Sequence, residues 1–142
     1  QNVSLMDCFA NSQCLSADVT NAYDPTYKEV CDKRNNSHVN AGVCFMKYTG
    51  SRGKSGSSDA PAEFVAKIRR LCDEGGVIWQ MGELGKVDAG GGGTVAQYMA
   101  NRNILTLDTG VPVLSMHAPI EVVGKLDCYE TYKGMKAVYE AE

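Results

Sequence analysis

Short apolar runs alternate with segments of helical periodicity along this 142-residue chain. Strands are predicted where apolar residues cluster between turn signals, at 15–19, 42–49, 77–81, 104–107 and 111–116. Helices are predicted where apolar residues recur at helical spacing, at about 59–74, 94–102 and 125–141. Strands that alternate with helices favour parallel pairing in a sheet covered on both sides. The pattern therefore predicts an α/β fold whose mixed or mostly parallel sheet carries helices on both faces.

Turn-forming residues mark the boundaries between these elements. A polar segment over 21–41 predicts a loop or an irregular crossing between the first two strands. Ser58 or Asp59 can cap the first predicted helix, and the Gly75-Gly76 pair ends it. Four consecutive glycines at 90–93 lead into the second helix.

The composition is typical of one globular domain, which we expect to span residues 1–142. The net charge of -3 argues against the clustered basic surface that non-specific nucleic-acid binding requires. No apolar run approaches the roughly eighteen residues of a membrane-spanning helix. The chain begins Gln1-Asn2-Val3, without an initiator methionine or a signal segment, so we expect a fragment or a processed piece.

Six cysteines are scattered along the chain without a Cys-x-x-Cys pair. Structural zinc sites need closely spaced ligand pairs, so a zinc finger or ribbon is not indicated. Cys44 and Cys72 fall at apolar positions of a predicted strand and a predicted helix. We therefore predict reduced cysteines that act as small hydrophobic residues in a cytoplasmic protein.

An apolar run, 111–116, ends at His117, and Pro119 stops any regular continuation. The run predicts a buried strand that delivers His117 to a strand end, where open α/β sheets place their chemistry. Neutral imidazole is the commonest metal ligand among side chains, but a histidine that closes an apolar strand is more often structural. From the run alone, both interpretations stay open.

Two further charged side chains stand next to or within apolar strands. Asp18 needs a cation or hydrogen-bond donors if it is buried, and it could otherwise cap a turn. Lys47 could extend its ammonium to the sheet edge, which is the commoner case, or point into a cleft and bind a substrate carboxylate.

The glycine run at 90–93 could present backbone N–H groups to a phosphate. It lacks the Lys-Ser/Thr ending of a P-loop and the spacing of a dinucleotide-binding loop. Gly53-Lys54-Ser55 has that ending, but Tyr48 stands where the leading glycine belongs. A tight turn or a close approach of backbone to substrate is the better interpretation.

Four segments of the chain together carry a family resemblance. They are Leu15–Val19, Lys47–Gly56, Gly82–Thr94 and Gly110–Pro119. Their residues, order and spacing resemble the C-terminal third of the aspartyl aminopeptidase / aminopeptidase I family of dinuclear zinc exopeptidases, especially its bacterial members. The resemblance extends from Leu15 to Tyr139. It implies the C-terminal portion of a zinc-exopeptidase (phosphorylase/hydrolase-like) catalytic domain and a zinc-dependent aminopeptidase activity.

By this resemblance, Asp18 and His117 are zinc ligands, and two zinc ions occupy the complete site, with cobalt or manganese as possible substitutes. Lys47, Lys54, Gly91 and Gly92 correspond to the substrate-binding side of the site. The resemblance also implies a peptide substrate and a tetrahedral homo-oligomer of twelve subunits.

The chain departs from the family pattern in one respect. Family enzymes also use an earlier histidine ligand, an aspartate that bridges the metals and a Glu-Glu pair that supplies the general base. This chain has no Glu-Glu dipeptide, and its other histidine, His38, lies in the polar loop. We therefore expect no general base on this chain and a partner role for the N-terminal part of the same enzyme. The alternative is a non-catalytic α/β scaffold or interaction subunit without metal.

Overall fold

The computed structural model describes residues 2–50, 56, 58–86, 89 and 91–141. Within these ranges one sheet contains β1 (Gln13–Asn21), β2 (Val43–Met46), β3 (Trp79–Met81), β4 (Leu105–Leu114) and β5 (Val122–Val123). The helices are α1 (Leu5–Ala10), α2 (Ala62–Glu74), α3 (Ala96–Ala100) and α4 (Lys125–Tyr139), with a 3₁₀ helix at Pro25–Val30. None of the helices in these ranges is long and apolar enough to cross a membrane.

The sheet is mixed, with the strand order β1-β4-β2-β3 and β5 paired to β4. β1 runs parallel to β4 from the pair Gln13–Leu105 to the pair Asn21–Val113. β2 is parallel to β3 and antiparallel to β4, and β5 is antiparallel to β4. This mixture of parallel and antiparallel pairs confirms the predicted fold class.

The most useful difference from the predicted elements concerns β4, which is one continuous strand over 105–114 rather than two stretches at 104–107 and 111–116. Gly110 makes this continuity possible. A Cβ at Gly110 would lie 2.7 Å from the carbonyl carbon of Val19 and 2.9 Å from the carbonyl oxygen of Asp18. Because glycine has no Cβ, β4 can pair closely with β1 through this position.

Several shorter elements were not predicted from the sequence. α1, β5 and the 3₁₀ helix are each six residues or fewer, too short for a periodic pattern to emerge. The predicted capping of α2 by Ser58 or Asp59 is wrong. Pro61 occupies the N-cap position without a side-chain cap bond, and Asp59 pairs with Lys47 instead.

Helices cover both faces of the sheet. The main apolar core lies between the sheet and α2, and it is formed by Val43, Phe45, Ala60, Phe64, Val65, Ile68, Cys72, Val77 and Leu107. Side chains alternate along a strand, so Asp108 points to the opposite face from Leu107. There its carboxylate contacts Thr94, two residues before α3 begins. The prediction of helices on both faces is confirmed.

Cys44 and Cys72 are fully buried, as their apolar positions predicted. Burial raises the pKa of the Cys44 thiol to about 12 and that of the Cys72 thiol to about 11. All six cysteines of the chain are free. Both buried thiols therefore stay protonated and behave as small hydrophobic groups.

The buried positions of the last helix, α4, are acidic residues and a glycine. The aromatic and aliphatic side chains that recur along it are largely exposed, namely Leu126, Tyr129, Tyr132 and Tyr139. Its buried positions are Asp127, Glu130 and Gly134. Asp127 accepts the backbone N–H groups of Asn40 and Gly42, and Glu130 accepts that of Ile78. These two carboxylates thus bind the backbone that leads into β2 and β3, and they fix α4 to the sheet.

Candidate active site

Asp18 lies near the carboxyl end of β1, opposite Gly110 of β4. Its side chain is exposed, and its Oδ1 atom accepts the backbone N–H of Val19 at 2.9 Å. This bond orients the carboxylate beside the backbone. Because Asp18 is exposed to solvent, its carboxylate does not require the cation or the hydrogen-bond donors that a buried carboxylate needs.

His117 lies three residues beyond the end of β4, not directly at the strand end as the apolar run predicted. Ser115 and His117 have left-handed backbone conformations, with φ of 61° and 69°. The N–H of Ala118 donates to the carbonyl of Ser115 at 2.9 Å, and Glu121 Oε1 accepts the N–H of His117 at 2.5 Å. Non-glycine residues adopt positive φ at a cost, so such conformations in a turn mark a candidate functional segment.

One open cleft of about 600 Å³ brings Asp18 and His117 together. β1 and β4 are parallel neighbours, so the two residues leave the sheet on the same side although they are far apart in the sequence. The rest of the cleft lining is Val19, Leu84, Gly92, Gly93, Thr94, Val95, Gln97, Tyr98, Met116 and Glu121. The sheet thus assembles the two predicted metal ligands and one predicted substrate-side glycine around a single space.

The other predicted substrate-side residues lie in different settings. Gly91 has φ of 93°, and a Cβ there would approach the carbonyl oxygens of Leu84 and Gly50 within 2.6 Å, so it packs the glycine segment rather than lining the cleft. Lys47 is half-exposed, does not line the described cleft and forms an ion pair with Asp59 at 2.5 Å. Lys54 lies outside the described residues.

Asp108 is a buried carboxylate beneath the cleft that was not singled out from the sequence. It is 2% exposed, and its Oδ2 atom accepts the hydroxyl of Thr94 at 2.9 Å. Burial raises the pKa of the Asp108 carboxyl, and the bond from Thr94 partly offsets this shift. An acidic residue inside an otherwise apolar run was the available signal, since a buried carboxylate needs donors.

Glu121 was also missed, although it follows His117 by four residues and lines the same cleft. In the described part of the chain, no group of three or more His, Cys, Asp or Glu side chains is close enough to hold a metal ion. The carboxylate of Asp18 and the imidazole of His117 nevertheless have the donor chemistry that zinc prefers, and both face the cleft. The chemistry of these two side chains therefore fits that of zinc ligands, and the described residues alone do not complete a ligand set.

A mixed α/β sheet that brings a carboxylate and an imidazole to one cleft fits a metal-dependent enzyme. The family model described as "Aminopeptidase I zinc metalloprotease (M18)" matches residues 2–139 of this chain. The chain therefore belongs to the M18 family of zinc metallo-aminopeptidases, and the predicted family resemblance is confirmed.

Individual relatives agree with the family match. A probable M18 family aminopeptidase 1 from Clostridium acetobutylicum is 48% identical over 135 residues, which cover 95% of this chain and 29% of the relative. The crystal structure of aminopeptidase I from the same organism has a TM-score of 0.92 at 47% identity, with coverage of 98% of this chain and 30% of that one. A Saccharomyces cerevisiae mApe1 dodecamer shares the fold, with a TM-score of 0.77 at 23% identity and coverage of 99% and 29%. The chain thus spans about 30% of the length of the relatives it matches.

Proposed function

We propose that this chain is the part of a zinc-dependent aminopeptidase that supplies Asp18 and His117 as zinc ligands. The observation that carries the proposal is the convergence of the two side chains on one cleft through the parallel pair β1–β4. Membership of the M18 family supports it independently of that geometry. The reaction is hydrolysis of the N-terminal peptide bond of a peptide substrate.

Each residue of the cleft has a distinct part in this proposal. The Val19 N–H orients the Asp18 carboxylate, and Glu121 holds the backbone turn that carries His117. When bound at such a site, paired zinc ions polarise the scissile carbonyl and lower the pKa of a water molecule. Two protein ligands cannot hold two zinc ions, so the remaining ligands and the general base belong to the part of the enzyme outside this match.

The glycine segment and the lysines contribute to substrate binding in this proposal. Gly92 lies on the cleft wall, and Gly91 keeps the wall close to the neighbouring backbone. Lys47 recognises a substrate carboxylate only if that carboxylate displaces Asp59 from its present ion pair. Lys54 is the second candidate of this kind.

The proposal places the enzyme in the cytoplasm and in a homo-oligomer, with the tetrahedral dodecamer as the specific assembly. Six free cysteines support a reducing compartment. The exposed aromatic side chains of α4 provide apolar surface for subunit contacts.

The test uses the purified full-length protein that carries this sequence. We expect hydrolysis of aminoacyl-p-nitroanilides that is abolished by a chelator and restored by zinc. Asp18→Asn keeps the shape but loses the anionic ligand, and it should reduce kcat at least 100-fold in keeping with loss of a metal ligand. The same substitution at Asp7, an exposed residue of α1, is the matched control and should have no effect.

Four outcomes would contradict the proposal. Activity unaffected by chelation would exclude zinc chemistry, and equal effects of the two substitutions would remove the role of Asp18. Chelator-sensitive activity of residues 1–142 alone would show that this chain contains its own general base. A zinc-free full-length protein without activity would favour the non-catalytic scaffold.

A further inference from the structure

A buried hydroxyl–carboxylate cluster lies directly beneath the cleft wall. Asp108 belongs to β4, which lies between β1 and β2 in the sheet. The Thr94 hydroxyl donates to Asp108 Oδ2 at 2.9 Å, and the hydroxyl of Thr49 lies 3.5 Å from that of Thr94. Thr94 itself lines the cleft, so the cluster joins the sheet to the cleft surface.

One wall of the cleft is a run of glycines that ends at Thr94, and we call residues 91–94 the glycine wall. Gly92 and Gly93 line the cleft, and a Cβ at Gly92 would meet no atom within 4 Å. A segment without side chains has little apolar surface with which to hold its own position. Its conformation therefore depends on polar attachments and on close backbone packing, such as that of Gly93 against the carbonyl oxygen of Gly56.

Both ends of this segment are attached. Near its start, the N–H of Gly50 donates to the carbonyl of Gly92 at 2.8 Å, and Gly91 packs closely against backbone oxygens. At its end, the bond from Thr94 to Asp108 ties it to the central part of the sheet. A hydrogen bond to a buried carboxylate is stronger and more directional than one to a neutral acceptor. Asp108 is therefore suited to fix the distance between the glycine segment and the sheet.

We propose that Asp108 is a positioning residue that acts through Thr94 to hold the glycine wall, residues 91–94, in place for the peptide substrate. This inference rests on the proposed aminopeptidase function, because it assigns the wall to substrate positioning. Asp108 does not touch the substrate. Its effect on the reaction passes through the backbone of the wall, whereas Asp18 and His117 hold the metal.

The test compares two substitutions of Thr94 in the zinc-loaded full-length enzyme. Thr94→Val has nearly the same shape but no hydroxyl, and we expect a rise in KM of about tenfold, equivalent to one lost hydrogen bond of about 1.4 kcal/mol. Zinc content and kcat should change far less than KM. Thr94→Ser keeps the donor and should restore KM to within about twofold of the wild type.

The matched control is Thr106→Val, which removes the hydroxyl of a buried β4 residue that donates to the Ile104 carbonyl at 3.0 Å. It should leave KM unchanged although it also removes a hydrogen bond. Equal KM values for Thr94→Val and Thr94→Ser would overturn the proposal, and so would a KM increase of similar size in the control.

A second readout does not depend on activity. Amide hydrogen exchange of residues 91–94 should accelerate in Thr94→Val and in Asp108→Asn, and it should be unchanged in Thr106→Val. Unaltered exchange in both of the first two variants would overturn the attachment itself. If the wild type has neither zinc nor activity while exchange changes as expected, the proposed function fails and the attachment of the wall stands.

Discussion

Asp127→Ala removes the carboxylate that holds α4 against the start of β2. The side chain of Asp127 is fully buried, and it accepts the N–H groups of Asn40 at 2.7 Å and Gly42 at 2.8 Å. Alanine accepts neither bond. The N–H of Gly42 is then buried without an acceptor, whereas the N–H of the exposed Asn40 can donate a hydrogen bond to water.

The size of the effect follows from these two settings. Loss of a buried bond to a charged acceptor costs about 1.5–3 kcal/mol, and loss of a bond that water replaces costs about 0.5–1 kcal/mol. The free energy of unfolding should therefore fall by about 2–4 kcal/mol. Asp127→Asn keeps one acceptor oxygen, and it should lose roughly half of this amount.

Urea denaturation followed by far-UV circular dichroism measures these losses. Glu140→Ala, at the exposed C-terminal end of the same helix, should cost less than about 0.5 kcal/mol because its ion pair with Lys136 spans 3.8 Å at the surface. A loss below 1 kcal/mol for Asp127→Ala would refute the argument. An Asp127→Asn variant as stable as the wild type would show that the second acceptor is not needed.

Three further predictions concern other charged or ionisable groups. Because burial raises the pKa of Asp108 in the folded state, stability should fall as pH rises from about 3.8 through the raised value, and a pH series of unfolding midpoints should show that Asp108→Asn removes this dependence. The side chains of Lys47 and Asp59 are 39% and 46% exposed, so a double-mutant cycle on unfolding should give a coupling below about 1 kcal/mol; a larger value would mean that the pair is shielded from water. At pH 8, a thiol reagent followed by mass spectrometry should label exposed Cys8 at least 100-fold faster than Cys44, whose thiol has a pKa of about 12. Comparable labelling rates would show that β2 opens readily.

The long elements of the fold were predictable because their apolar residues repeat at a clear period. β2, α2 and the mixed sheet follow from that pattern. The orientation of α4 did not, because it depends on buried Asp127 and Glu130, which accept backbone N–H groups from distant loops. Long-range hydrogen bonds of this kind, between a side chain and a distant backbone group, cannot be predicted from the periodicity of apolar residues.

The candidate site was predictable only in part for a similar reason. Asp18 and His117 could be named by family resemblance, but the parallel pairing of β1 and β4 was needed to place them at one cleft. Asp108 and Glu121 act on backbone and hydroxyl groups near the cleft, and no local spacing rule connects them to it. The left-handed turn at His117 was hidden because Ser115 and His117 are not glycines.

Zinc stoichiometry of the His117→Ala variant is the most direct test of the central claim that Asp18 and His117 are zinc ligands. Inductively coupled plasma mass spectrometry on the full-length protein should give two zinc ions per wild-type chain and one per variant chain. His38→Ala, at an exposed loop histidine outside the cleft, should retain both ions. The thermal midpoint of metal-free His117→Ala should equal that of the metal-free wild type, since His117 is exposed. A His117→Ala variant that keeps two zinc ions and full kcat would contradict the account.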